Sequence, residues 1–189
     1  VTHVEMQDDV TKVSISKTDI TGEKELAGAA LEVRDANDNV IDAWVSDGTA
    51  HQINGVLVAG QTYTLHEVSA PNGYVVAEDV TFTVNEDGSV NMVSMVDAPT
   101  SVHISKKDIT TGEELPGAFL ELYDKDNNLV DSWVSTNEAH IIEAVLIAGE
   151  KYTLIETSAP NGYVLSEKVE FTVNLDNTIT HVEMLDKTT

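Results

Sequence analysis

Apolar and polar residues alternate with a period close to two along most of the chain. That is the pattern of strands with one face buried, and no window sustains the spacing of an amphipathic helix. In the first half the alternation predicts strands near 12–19, 28–35, 39–46, 50–58, 61–69, 79–85 and 89–97. Turn-forming residues separate them: Thr21-Gly22, Asn37-Asp38-Asn39, Ala59-Gly60, Ala70-Pro71-Asn72-Gly73 and Glu86-Asp87-Gly88. Seven short strands at this spacing predict an all-β chain built as an antiparallel sandwich.

The pattern then repeats. Residues 10–97 register on 99–186 at an offset of 89 without net insertion, and more than half the positions are identical. Trp44 matches Trp133, Pro71 matches Pro160, Tyr74 matches Tyr163 and Phe82 matches Phe171. A unit of this length is too long for a helical solenoid repeat and reads as a complete domain. The expected organisation is a first domain at 10–98 and a second at 99–189. The first nine residues fit the same scheme. Thr2-His3-Val4-Glu5-Met6-Gln7-Asp8 matches Thr180 to Asp186, so 1–9 reads as the last strand of a preceding repeat, with Asp8 an orphaned acidic residue.

Against this background three charged residues are out of place. Val13, Ile15 and Lys17 share one strand face, as do Tyr63, Leu65 and Glu67, and Val93, Met95 and Asp97. The second repeat agrees: Val102, Ile104, Lys106; Tyr152, Leu154, Glu156; Val182, Met184, Asp186. Charged side chains are almost never fully buried unless paired, so a buried Lys/Glu/Asp set in each domain calls for a chemical explanation. A single charged residue at a strand end could bend out to water. Three on apolar parity in both repeats make that reading poor.

Composition narrows the field. A net charge of −23 and few aromatics argue against nucleic acid or an anionic membrane as partner. With no cysteine, neither small domain can be stapled by a disulfide. No signal peptide, long apolar run or wall-anchoring tail is evident, so the chain reads as an interior segment of something longer.

Four separated motifs recur in both units: Ser-Lys followed by Asp (Ser16 to Asp19, Ser105 to Asp108); Glu-x-Ser-Ala-Pro-Asn-Gly-Tyr (Glu67 to Tyr74, Glu156 to Tyr163); Phe-Thr-Val-Asn (Phe82 to Asn85, Phe171 to Asn174); and Met-x-Asp (Met95 to Asp97, Met184 to Asp186). Together they resemble the CnaB or SpaA-type domains of Gram-positive surface adhesins and pilins. The resemblance implies two tandem seven-stranded Ig-like or prealbumin-like sandwiches at the cell surface, outside the cell. It also implies an intramolecular isopeptide bond in each, Lys17 to Asp97 and Lys106 to Asp186, with Glu67 and Glu156 as the catalytic carboxyls. Lys12 and Lys107 fall on the opposite strand faces from the reactive lysines.

Burial suits this chemistry, because it disfavours the charged forms of amine and carboxyl alike. A neutral amine has a lone pair with which to attack, and a protonated carboxyl can polarise the target and relay protons. Such a reaction is a single-turnover self-modification, so an enzyme is not expected. No cofactor or metal is expected either. A buried ion network that never reacts is the competing reading.

The function expected is a structural stalk within a surface adhesin, its partners being neighbouring repeats of the same protein. The alternative is a ligand-binding module for a host matrix protein or glycan, for which the divergent segments 47–49 and 136–138 are the first place to look. A pilin backbone ranks lower, since no Tyr-Pro-Lys-type motif supplies a lysine for polymerisation. Asp35 to Asn39 and Asp124 to Asn128 lack the central Gly and distal Glu of a hand-type calcium loop and read as hairpin turns. His51 and His140 recur without a second ligand at metal-like spacing, and Trp44 and Trp133 read as packing residues.

Overall fold

Strong β-formers on alternating positions give seven strands in the first repeat: β1 (Lys12–Asp19), β2 (Ala27–Arg34), β3 (Val40–Asp47), β4 (His51–Asn54), β5 (Thr62–Ser69), β6 (Val80–Thr83) and β7 (Val90–Asp97). The computed structural model describes residues 9–189, so the expected leading strand and Asp8 lie outside the described residues. The second repeat gives β8 (Ser101–Asp108), β9 (Phe119–Tyr123), β10 (Leu129–Val134), β11 (His140–Glu143), β12 (Lys151–Ser158), β13 (Val169–Thr172) and β14 (Thr180–Asp186). All regular structure among the described residues is strand. The chain divides into two compact units, and each holds a two-sheet sandwich.

In the first unit a three-stranded sheet of order β4-β1-β7 faces a four-stranded sheet of order β3-β2-β5-β6. The second unit repeats this as β11-β8-β14 and β10-β9-β12-β13. Inward residues of both sheets form the core: Val13, Ile15, Leu31, Val33, Leu65, Phe82, Val93 and Met95 in the first unit, Val102, Ile104, Leu120, Leu122, Leu154, Val182 and Met184 in the second. Each large aliphatic side chain buried this way contributes roughly 1.5–3 kcal/mol.

The sandwich is as the alternation predicts, with one pairing that it did not anticipate. β1 and β7 run parallel, Lys12 opposite Val90 through to Asp19 opposite Asp97, and β8 and β14 do the same. Alternation reports which face a residue takes and is silent on strand direction. The parallel pair has a consequence: the chain enters β1 at one end of the sheet and leaves β7 at the other.

Two strands are shorter than expected. The segment read as 50–58 forms a strand only over His51–Asn54, because Gly55 turns the backbone at φ 69° and the chain leaves the sheet with Leu57 buried. The one read as 79–85 is confined to Val80–Thr83. The Asp35–Asn39 segment is a hairpin turn. The Asp35 carboxylate accepts the N–H groups of Asn37 and Asn39, and Asp38 sits at φ 65°. Asp124 holds the second copy of the turn in the same way, with Asn127 at φ 60°.

Candidate functional site

Each unit buries one amine and two carboxyls at the heart of its sandwich. Lys17 on β1 is 2% exposed, Glu67 on β5 is 2% exposed and Asp97 on β7 is fully buried. Lys106, Glu156 and Asp186 occupy the matching places on β8, β12 and β14, all at 5% exposure or less. Lysine and aspartate come from the two parallel strands of one sheet, and glutamate reaches in from the opposite sheet. The structure thus brings all six residues together in two sets of three.

In the first unit Lys17 Nζ donates to Asp97 Oδ1 and stands 2.9 Å from Glu67 Oε1. In the second, Lys106 Nζ donates to Asp186 Oδ1 and stands 3.1 Å from Glu156 Oε1. Strand pairing explains how the lysine gets there. Lys17 lies opposite Met95, so its stem crosses one strand spacing and runs two residues along to meet Asp97.

The glutamates are aimed by two devices. The β2–β5 register shifts beside Glu67, with Leu31 opposite Glu67 but Ala30 opposite Ser69. The same irregularity follows Glu156, where Leu120 opposes Glu156 and Phe119 opposes Ser158. A bulge of this kind bends the strand and turns the neighbouring side chain. The far carboxyl oxygen is then pinned by a backbone N–H: Ala77 N donates to Glu67 Oε2 at 2.6 Å, and Ser166 N donates to Glu156 Oε2 at 2.7 Å. That leaves Oε1 facing the lysine in both units.

Electrostatics follow from this enclosure. Burial pushes the Asp97 carboxyl up to about 6, against the pull of the Lys17 ammonium, and the neighbouring Glu67 adds to the rise. Burial also raises the Glu156 carboxyl, opposed by the Ser166 N–H and by Lys106. Asp97 Oδ2 and Asp186 Oδ2 are buried with no hydrogen-bond partner. Buried polar atoms are ordinarily satisfied, so an orphaned buried carboxyl oxygen disfavours the charged form of its acid. Three ionisable groups held in contact out of water can exchange protons among themselves.

The lysines set aside on parity lie elsewhere. Lys107 points outward and pairs with Glu183, and Lys12 is only partly buried at the start of β1. Among the described residues no group of three or more His, Cys, Asp or Glu is placed to hold a metal ion.

Some contacts were not foreseen from sequence. His51 stacks on Trp44 at 4.0 Å between ring centroids and bonds Asp42 at 2.9 Å; His140, Trp133 and Asp131 repeat the arrangement at 4.1 Å and 2.8 Å. Asp42 and Trp44 belong to one sheet and His51 to the other, so the trio clasps the sandwich near its rim. The residues that pin the glutamates, Ala77 and Ser166, were also missed. Both pin through the backbone, which no side-chain pattern reports. Only the Ser166 hydroxyl left a signal, a Ser in Tyr163-Val164-Leu165-Ser166-Glu167 where the closely similar run Tyr74-Val75-Val76-Ala77-Glu78 has Ala.

Comparison with known proteins gives a consistent picture. The model of the SpaA prealbumin-like fold domain family matches residues 11–99 and again 100–188. No curated protein matches the chain. Among solved structures, the Bacillus anthracis TIE protein is 25% identical with a TM-score of 0.54; the match covers 96% of this chain and 34% of that one. The chain therefore spans about a third of that protein's solved length. The C-terminal fragment of the pilus adhesin SpaC from Lactobacillus rhamnosus GG shares the fold at 16% identity and a TM-score of 0.50, covering 95% of this chain and 97% of the fragment.

Proposed function

The chain belongs to the SpaA prealbumin-like fold domain family, and on that premise we propose that its two domains are self-crosslinking stalk modules of a Gram-positive surface adhesin or pilus protein. The observation that carries this reading is the buried contact of Lys17 with Glu67 and Asp97, repeated at Lys106, Glu156 and Asp186. Left unreacted, such a set carries the desolvation cost of buried ions, several kcal/mol for each. Condensation removes it by turning an amine and an acid into a neutral amide.

The route follows from the contacts. Proton transfer within the set leaves a neutral amine, whose nitrogen attacks the carboxyl carbon of Asp97. The Nζ–C bond forms, one C–O bond of the acid breaks, and the departing oxygen leaves as water with the acid's proton and one proton from nitrogen. Glu67, pinned at Oε2 and facing the lysine through Oε1, moves that proton. Folding supplies the proximity. Each domain reacts once, so the chain is a substrate of its own chemistry and does not turn over as an enzyme.

The crosslink suits a load-bearing role. It closes a loop of 80 residues between the first and last strands of the domain. In the chain-entropy treatment that closure stabilises by roughly 4–5 kcal/mol. Tension arriving through β1 and leaving through β7 would pass along the amide and spare the rest of the sandwich. The partners are then neighbouring domains of the same parent protein, on the outside of the cell.

Intact mass tests the reading. The chain is expected to weigh two waters less than its sequence, and Lys17→Ala or Lys106→Ala should each restore one. A mass equal to that of the unreacted sequence overturns the crosslink and leaves a buried ion network in its place.

A further inference from the structure

The two triads are not equivalent, because the second contains a hydroxyl that the first lacks. Ser166 stands where the first domain has Ala77, and both use their backbone N–H to pin the glutamate. The Ser166 side chain does more. Lys106 Nζ donates to Ser166 Oγ at 3.1 Å, and Oγ lies within donating reach of both Asp186 Oδ1 and the Leu185 carbonyl, the latter at 2.6 Å. A serine hydroxyl has one proton to give and two lone pairs to accept with. It can therefore donate to the aspartate or to the carbonyl at a given moment, while still accepting from the lysine.

The geometry points to Ser166 as a second proton relay for crosslinking in the second domain, working beside Glu156. This inference rests on the proposed isopeptide chemistry. As the neutral Lys106 nitrogen attacks the Asp186 carboxyl carbon, Nζ passes one proton to Ser166 Oγ. Oγ passes its own proton to the protonated Oδ1, the C–Oδ1 bond breaks, and Oδ1 leaves as water. Oδ2 becomes the amide carbonyl oxygen and the serine ends as it began. Ser166 touches both reacting groups, so it is a catalytic residue in this step. When the step is over, Oγ returns to the Leu185 carbonyl. In the first domain Ala77 offers no such path, and Glu67 must carry the proton by itself.

The difference predicts that the two domains respond unequally to loss of their glutamates. Gln in place of Glu keeps an oxygen to accept the pinning N–H but can neither give nor take a proton at neutral pH. In the full chain, Glu67→Gln should leave the first domain without its crosslink. Glu156→Gln should leave the second still able to lose water, on the order of 10²-fold faster than the glutamine-blocked first domain. Adding Ser166→Ala to Glu156→Gln should remove that residual reaction, and adding Ala77→Ser to Glu67→Gln should create one in the first domain. That gain is an outcome a purely structural role for the hydroxyl would not produce.

The readout is intact mass over time, with crosslinked peptides identified after digestion. Equal extents of crosslinking in Glu156→Gln with and without Ser166, or none in either, overturn the relay. So does an Ala77→Ser chain that gains nothing. The crosslink itself still stands in those cases, since the unmodified chain loses both waters. An unmodified chain that loses none overturns both proposals. Should a glutamine variant fail to fold, Ser166→Ala in the otherwise unmodified chain serves in its place: newly synthesised protein should crosslink more slowly in the second domain, with the first unchanged. Equal rates there overturn the relay.

Discussion

Lys17 and Asp97 lie on adjacent parallel strands two residues out of register, so the lysine stem runs obliquely across the sheet before its amine meets the carboxyl. The offset matters. A lysine directly opposite an aspartate would carry its amine past the carboxyl, because the stem is longer than the gap between strands. Met95, the residue that is directly opposite, is itself buried. The same offset recurs at Lys106, Met184 and Asp186.

If Asp97 supplies the carbon that the amine attacks, the leaving group should depend on what that carbon carries. Asp97→Asn presents a neutral amide of nearly the same shape, and attack by Lys17 would expel ammonia where Asp expels water. The bond left behind is the same. The expected chain has lost one ammonia from the first domain and one water from the second, which high-resolution mass spectrometry separates. A variant that keeps its full ammonia content has not reacted, and would show that asparagine cannot serve as the acceptor here.

Much of this site was legible from alternation alone. Parity placed Lys17, Glu67 and Asp97 on buried faces, and it did so because a two-residue period has no intermediate orientations: a side chain is on one face or the other. What parity could not give was direction. The parallel run of β1 beside β7 depends on how the chain crosses between sheets, which no local pattern records. The bulge that turns Glu67 was invisible for a related reason, since it is a mismatch between two strands and neither strand carries it by itself. His51 and Trp44 were noticed singly. Their stack joins residues on different sheets and needed the tertiary structure to be seen.

Removing the lysine should expose the cost of the acid it leaves behind. Before it condenses, the Asp97 carboxyl is raised from its ordinary value of 3.8 to about 6, chiefly because of burial. The folded state therefore binds more protons than the unfolded state between those values, and its stability falls as pH rises. That stability is fully present below the unfolded value and is lost as pH climbs through the folded one. A displacement of this size corresponds to about 3 kcal/mol. In Lys17→Met the amine that opposed the rise is gone, so the dependence should be at least as steep and extend to higher pH. Thermal melts of that variant should show the first domain more stable at pH 5 than at pH 8. A first domain equally stable at both would mean that Asp97 is not held protonated by its surroundings.

The last prediction concerns force. In a crosslinked domain the covalent path from one terminus to the other runs along β1 to Lys17, across the amide, and out from Asp97 at the end of β7. The residues between, 18–96, are outside that path and cannot be drawn out. Without the crosslink they can be, and full extension would add roughly 270 Å of chain at 3.3–3.6 Å per residue. Pulling single molecules by their ends should therefore give no unfolding step of that length in the unmodified protein. Lys17→Ala should show one such step, from the first domain, and adding Lys106→Ala should give two. Protease resistance should change in parallel, because cleavage inside the closed loop leaves a crosslinked domain in one piece and cuts an open one in two. Long unfolding steps in the unmodified chain would show that its strands separate fully under load, and each domain would then owe its strength to the sandwich alone.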